Sequence, residues 1–222
     1  MDTVHSRKQI GFPERKEEWN QQPAIFTEHT LKIAGHPVME DWEIGYMDQL
    51  AEIAASKGGV VLELGYGMGL SAKAIQDRGI DSHFVVECHP DVVQKAVQDF
   101  REEISSSRMH ILSGFWQDVT PRLQSGSFDG ILFDTYPLKE EEIHGIHFWF
   151  FEEAYRLLKP GGVLTYYSDE ATRFSEKHME KLTEAGFHKE DIGFDVCEVT
   201  PPANCEYWQS NTILAPKVYK NI

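Results

Sequence analysis

Glu63-Leu64-Gly65-Tyr66-Gly67-Met68-Gly69 is the stretch on which the fold turns. It follows a short apolar run, Val60–Leu64, and precedes residues 71–76, which have helical character. Glycines at alternate positions let the backbone turn sharply and let a ligand approach without a Cβ in the way. A second acid, Glu87, ends the next apolar run, 83–87. A carboxylate there can accept hydrogen bonds from both ribose hydroxyls of an adenosine. Alone, the GxGxG pattern is a weak signal, because turns use glycine for steric reasons and dinucleotide-binding dehydrogenases share much of it. Glu63, two residues before the first glycine, sharpens it: an acid there repels a pyrophosphate and suits a cationic amino acid moiety.

Outward from this loop, strand and helix signals alternate. Residues 91–104 have helical spacing, 109–112 read as a strand, and 128–134 form a very apolar strand that ends in Asp134. An amphipathic helix over 147–158 is stopped by Pro160-Gly161-Gly162, and a strand follows at 163–167. A helix over 176–185 is closed by Gly186, and 196–218 have β character. Such alternation predicts an α/β domain whose parallel sheet is covered on both faces. Three regions are expected. Residues 1–18 form a polar, flexible tail. Residues 19–55, broken at Pro23, Gly35 and Pro37, hold short helices, the last over 40–55, and form a lid that contributes to the site. Residues 56–222 are the α/β domain, with 19–222 a single structural unit.

A net charge of −15 repels phosphate backbones, so nucleic acid is not an expected partner. No apolar run is long enough to span a bilayer, and the polar N-terminus lacks a signal core. Cys88, Cys197 and Cys205 form no CxxC pair and suit a reducing cytoplasm better than a disulfide framework. His144-x-x-His147 lacks a third ligand at firm spacing, so no catalytic metal is expected. Monomer and homodimer both remain open.

The glycine loop, Glu87 and the LLKPGGVL turn over 157–164 together resemble the class I S-adenosylmethionine-dependent methyltransferases. The resemblance implies a Rossmann-like fold, a mostly parallel seven-stranded sheet with helices on both faces. It implies S-adenosylmethionine as cofactor and S-adenosylhomocysteine as product. Met47, Glu63, Gly65, Gly67, Met68, Gly69, Glu87 and Asp134 would border that cofactor, with Trp116 packed on the adenine and amides near Gln117 reading its edge. Plain core packing is the alternative for Trp116.

Longer stretches are more specific. PVMEDWEIGYM (37–47), SKGGVVLELGYGM (56–68), FDGILFDTYPL (128–138), RLLKPGGVLTYY (156–167), EAGF (184–187) and VTPPANCEYW (199–208) resemble guanidinoacetate N-methyltransferase, in matching order from about Trp19 onward. The likeness extends to relatives that methylate the guanidino group of arginine. It implies Asp134 as the base at the attacking nitrogen and Glu43 as the partner of the opposite N–H groups. It also implies that Trp19, Met47 and Tyr207 close over cofactor and substrate.

The sequence departs from the family at Ser168-Asp169-Glu170, where the creatine-forming enzyme has Asn-Leu-Thr beside the substrate carboxylate. Acids there repel a carboxylate and suit an ammonium group, so Asp169 and Glu170 are expected to bind the tail of the substrate. The expected substrate is a small guanidino compound, arginine or an arginine-derived metabolite with a cationic tail. Guanidinoacetate itself, or a small molecule without a guanidino group, are the alternatives. A non-catalytic domain that retained the fold is a further one.

Overall fold

A computed structural model describes residues 10–221 of the chain. Half of the tail expected over 1–18, residues 1–9, lies outside the described residues. Residues 10–18 are exposed or half-buried but tied to the domain at points. Helix α1 (Lys16–Trp19) buries Trp19, and the Gly11 carbonyl accepts from His36 Nε2 at 2.8 Å.

Where short helices were expected before residue 40, the chain instead forms a small antiparallel sheet: β1 (Ala24–Phe26), β2 (Thr30–Ile33) and β3 (His36–Glu40), in that order. The reason is local. Pro23, Gly35 and Pro37 deny the chain a helical run, and Leu31 and Ile33 alternate with exposed residues so that one face of β2 is buried. Pro37 is tolerated because β3 is an edge strand. The helix expected over 40–55 starts later. A 3₁₀ turn, Asp41–Glu43, leads into α2 (Ile44–Ala55).

The α/β domain then alternates as expected: β4 (Val60–Leu64), α3 (Leu70–Gln76), β5 (Ser82–Glu87), α4 (Pro90–Asp99), α5 (Arg101–Ser105), β6 (Met109–Ser113), α6 (Trp116–Val119), β7 (Phe128–Phe133), α7 (Phe151–Leu157), β8 (Leu158–Tyr166), α8 (Glu176–Glu184), β9 (Ile192–Glu198) and β10 (Thr212–Tyr219). The Pro160-Gly161-Gly162 turn lies inside β8 rather than before it. The register slips opposite it, from Phe128↔Leu158 to Gly130↔Val163.

The seven-stranded sheet has the order β6-β5-β4-β7-β8-β10-β9. Strands β4 to β8 run parallel, and β10 is antiparallel to both of its neighbours. Along β4, Val61 belongs to one apolar cluster and Leu62 to the other, so the strand alternation buries both faces. Helix α2 lies so close to β7 that a Cβ on Gly130 would stand 1.8 Å from the Ala54 carbonyl oxygen. The strand order reverses between β4 and β7. In open parallel sheets the crevice at that point, beyond the carboxyl ends of the strands, is where ligands bind.

Candidate active site

The loop after β4 is held from both sides. The Gly65 amide donates to the Val86 carbonyl at 2.9 Å, and the Asp134 amide donates to the Leu64 carbonyl at 2.9 Å. Gly65 has φ +89, and a Cβ there would lie 1.9 Å from the Asp134 carbonyl oxygen. No other residue lets β4 and the end of β7 approach so closely. Glu87 organises the turn: its carboxylate accepts from the Tyr66 amide at 3.0 Å and from the His89 amide at 2.7 Å.

These elements open onto a cavity of about 330 Å³. It is lined in part by Glu87, Cys88, Gly114, Phe115, Trp116 and Gln117, at or just beyond the carboxyl ends of β5 and β6. The Trp116 ring stands edge-on to Phe133 (5.6 Å) and Phe150 (5.4 Å), which fixes it in the wall. The N-terminal segment closes the cavity. Lys16 pairs with Asp118 at 2.5 Å and stands 4.8 Å from the centre of the Phe115 ring. Trp19 stacks on Tyr136 with ring centres 5.3 Å apart.

Glu43, Asp134, Thr135, Tyr167, Asp169 and Tyr207 supply polar groups to the same cavity. Glu43 is 2% exposed. Its Oε1 accepts from Tyr207 Oη at 2.5 Å and from the Glu40 amide at 2.9 Å, the latter as part of a capping box at the start of the 3₁₀ turn that leads into α2. Burial, and then the negative charge of Asp134, push the Glu43 carboxyl up to about 8, while the bonds from Tyr207 and Glu40 pull it down. Burial and the Glu43 charge likewise drive the Tyr207 phenol far above its usual range. Two side-chain oxygens of this wall, Thr135 Oγ1 and Tyr167 Oη, are buried without a hydrogen-bond partner.

Asp169 lines the cavity with φ +55, and its carboxylate meets His144 Nδ1 at 3.1 Å. His144 also has positive φ, +58. Left-handed backbone at two non-glycine residues in contact is costly and concentrates at functional sites.

The structure thus brings Trp19, Glu43, Gly65, Gly67, Glu87, Trp116, Gln117, Asp134, Asp169 and Tyr207 to one cavity. It does not bring the other expected residues there. Glu63 is fully buried beneath the loop, where it accepts from Ser71 and stands 3.1 Å from His83 Nε2. Glu170 turns instead to the Ser175 amide and to His178, which hold its carboxylate away from the cavity. Met47 is packed in the core, Met68 donates its amide to Met39 Sδ, and Gly69 starts α3. Tyr167, Thr135 and His144 were not legible as site residues. Tyr167 ends an apolar strand and reads as core.

A sequence model of guanidinoacetate N-methyltransferase matches residues 11–221. The chain belongs to that family. Among relatives of this guanidinoacetate N-methyltransferase family member is protein arginine N-methyltransferase 2 of Yarrowia lipolytica, 32% identical over 139 residues, covering 59% of this chain and 28% of that protein. The protein of the same name from Aspergillus fumigatus is 30% identical over 164 residues, covering 72% of this chain and 37% of that protein. The chain therefore spans about a third of the length of these curated relatives. Spermidine synthase from Thermotoga maritima superposes with a TM-score of 0.64 at 15% identity, over 87% of this chain and 66% of that one. M. jannaschii TYW2 in complex with AdoMet gives 0.55 at 12% identity, over 90% and 87%. At these identities the likeness is one of fold. The domain has the Rossmann-like architecture of class I methyltransferases.

Proposed function

We propose that this chain is an N-methyltransferase that transfers a methyl group from S-adenosylmethionine to the guanidino nitrogen of a small molecule. The observation that carries the reading is the pair Glu43 and Asp134, two carboxylates on one cavity, one of them buried and raised to about 8 by desolvation and then by the other's charge. A guanidinium is the cation whose planar fork matches such a pair of carboxylates.

The cofactor is S-adenosylmethionine. The residues present fit it: the glycine loop at Gly65 and Gly67 on the cavity, Glu87 where a ribose is read, and Trp116 with Gln117 along the apolar wall. When bound it supplies an electrophilic methyl group on a sulfonium. The chain's own residues do the rest. A guanidinium stays protonated at neutral pH, since its pKa is roughly 12.5–13.8. Asp134, at the carboxyl end of β7, takes the proton from the attacking nitrogen as its lone pair is freed. Glu43 Oε1 is committed to Tyr207 and Glu40, so Oε2 meets the substrate. Trp19 and Lys16, tied to Tyr136 and Asp118, shut out water.

For the far end of the substrate, Asp169 favours an ammonium group over a carboxylate, with His144 sharing its charge. Arginine and agmatine fit this better than guanidinoacetate. A second reading, an arginine side chain of a polypeptide as acceptor, is favoured by the names of the relatives. Mass spectrometry of products from S-adenosylmethionine with arginine, agmatine, guanidinoacetate and an arginine-containing peptide separates these. Arginine and agmatine are expected to be methylated fastest. Conversion of guanidinoacetate alone overturns the tail reading, conversion of the peptide alone overturns the small-molecule reading, and conversion of none overturns the guanidino reading.

A further inference from the structure

The Tyr167 hydroxyl poses a physical problem. It is buried and has no hydrogen-bond partner, and an unpaired buried hydroxyl is destabilising. The neighbouring tyrosines do not share the problem. Tyr46 Oη donates to the Leu214 carbonyl at 2.8 Å, Tyr166 Oη meets His178 Nε2 at 2.6 Å, and Tyr207 Oη donates to Glu43. Nor can Tyr167 swing away to find a partner. Its backbone amide donates to the Phe133 carbonyl at 3.1 Å. Its ring meets Tyr46 (5.3 Å, 85°) and Trp208 (6.5 Å, 89°) edge to face. A phenylalanine would satisfy these ring contacts equally well, so the oxygen serves something other than packing.

The surroundings of the oxygen show what that is. The negative charges of Glu43, Asp169 and Asp134 all act on it, yet it bonds to none of them. It lines one cavity with the two carboxylates of the proposed guanidino site and with Asp169 at the tail end. Thr135, the residue after Asp134, holds the second unpartnered hydroxyl of the same cavity. A guanidinium carries up to five N–H donors. Glu43 Oε1 is already spent on Tyr207 and the Glu40 amide, so the two carboxylates leave substrate N–H groups without acceptors.

We propose that the Tyr167 hydroxyl is a substrate contact, a neutral acceptor for a guanidino N–H that the Glu43 and Asp134 carboxylates leave over, with Thr135 Oγ1 as its companion. The inference rests on the guanidino reading above. It makes recognition depend on neutral oxygens as well as charge, which fixes the plane of the guanidino group, since a hydroxyl oxygen accepts in a direction that a diffuse negative potential does not impose.

The test is isothermal titration of Tyr167→Phe and Thr135→Val with arginine, agmatine and guanidinoacetate at saturating S-adenosylhomocysteine, beside steady-state kinetics. Tyr167→Phe is expected to bind the preferred guanidino compound about ten-fold more weakly, to raise KM more than it lowers kcat, and to leave S-adenosylhomocysteine affinity unchanged. Wild-type guanidino affinity in both variants overturns the inference while the guanidino reading stands. An equal loss of S-adenosylhomocysteine affinity also overturns it, because the hydroxyl then serves the fold or the cofactor. If Tyr167→Phe does not fold, the same titration of Thr135→Val decides. If the unmodified protein binds none of the three compounds, the guanidino reading fails and the inference with it.

Discussion

Glu43→Gln keeps the shape of the side chain and the acceptor used by Tyr207 and the Glu40 amide, and removes only the charge. Below about pH 4.5 the Glu43 carboxyl is protonated in folded and unfolded chains alike. Between 4.5 and about 8 the unfolded chain releases this proton and the folded one retains it. The folded state then binds more protons, so stability falls as pH rises through that window and levels off above it. At about 1.36 kcal/mol for each pH unit, the ceiling on this loss is about 5 kcal/mol. Water entering the cleft and local relaxation reduce it, and about 2 kcal/mol is a working figure. For a chain of this size that corresponds to about 5 °C in Tm. The ligand-free glutamine variant should therefore melt about 5 °C above the unmodified protein at pH 8.5 and at nearly the same temperature at pH 4.5. Its kcat/KM for the guanidino substrate should fall by about 10² or more, since a charge-assisted bond is lost where the cation must sit. Thermal melts by circular dichroism at the two pH values, with initial rates at saturating S-adenosylmethionine, read both effects. A variant no more stable at pH 8.5, or shifted equally at both pH values, refutes the argument from burial; near-normal rates refute the role of Glu43 in holding the substrate.

Other outcomes follow from the same geometry. Asp134→Asn should lower kcat by about 10²–10⁴ and, by removing the charge that lifts Glu43, move the midpoint of the kcat/KM pH profile below 8; a midpoint that stays or rises contradicts the coupling of the two acids. Tyr207→Phe deletes a bond that pulls the Glu43 carboxyl down, so the same midpoint should move above 8 and activity at pH 7 should fall several-fold. Gly65→Ala places a methyl against the Asp134 carbonyl and forces φ +89 on a residue that resists it. Urea titration should show a loss of more than about 2 kcal/mol, and tight S-adenosylhomocysteine binding by this variant would argue against the glycine loop as part of the cofactor site.

The parallel half of the sheet was legible because each strand is a short apolar run ending at a turn or an acid, and the β4–β7 crevice followed from it. Glu43 and Asp134 could be paired only through resemblance to a family; nothing in periodicity links a residue before α2 to one after β7. The small N-terminal sheet was missed because strands as short as Ala24–Phe26 carry too little alternation to outweigh a general helical impression. Glu63 was misplaced for a different reason. Its motif position suggests a ligand, but Ser71 and His83, which bury it, are brought to it by packing. At Asp169-Glu170 the two acids part because Glu170 is claimed by the Ser175 amide and His178, partners that only the folded chain brings to it. Tyr167 is invisible to pattern reasoning, because an apolar-looking tyrosine at a strand end declares a role only when its hydroxyl is found without a partner.

The bond from Tyr207 to Glu43 joins residues 164 positions apart. One lies in the loop between the two strands that finish the sheet, the other in a turn formed before the first parallel strand. During synthesis the glycine loop and Asp134 emerge and pack long before Tyr207 leaves the ribosome. A nascent chain can thus form the glycine loop and bring in Asp134 early, but Glu43 gains its bond from Tyr207 only when β9 and β10 have docked. Competence to methylate becomes a late event in the life of the polypeptide, and a molecule whose final hairpin has come away loses its hold on the acceptor while the donor crevice still stands.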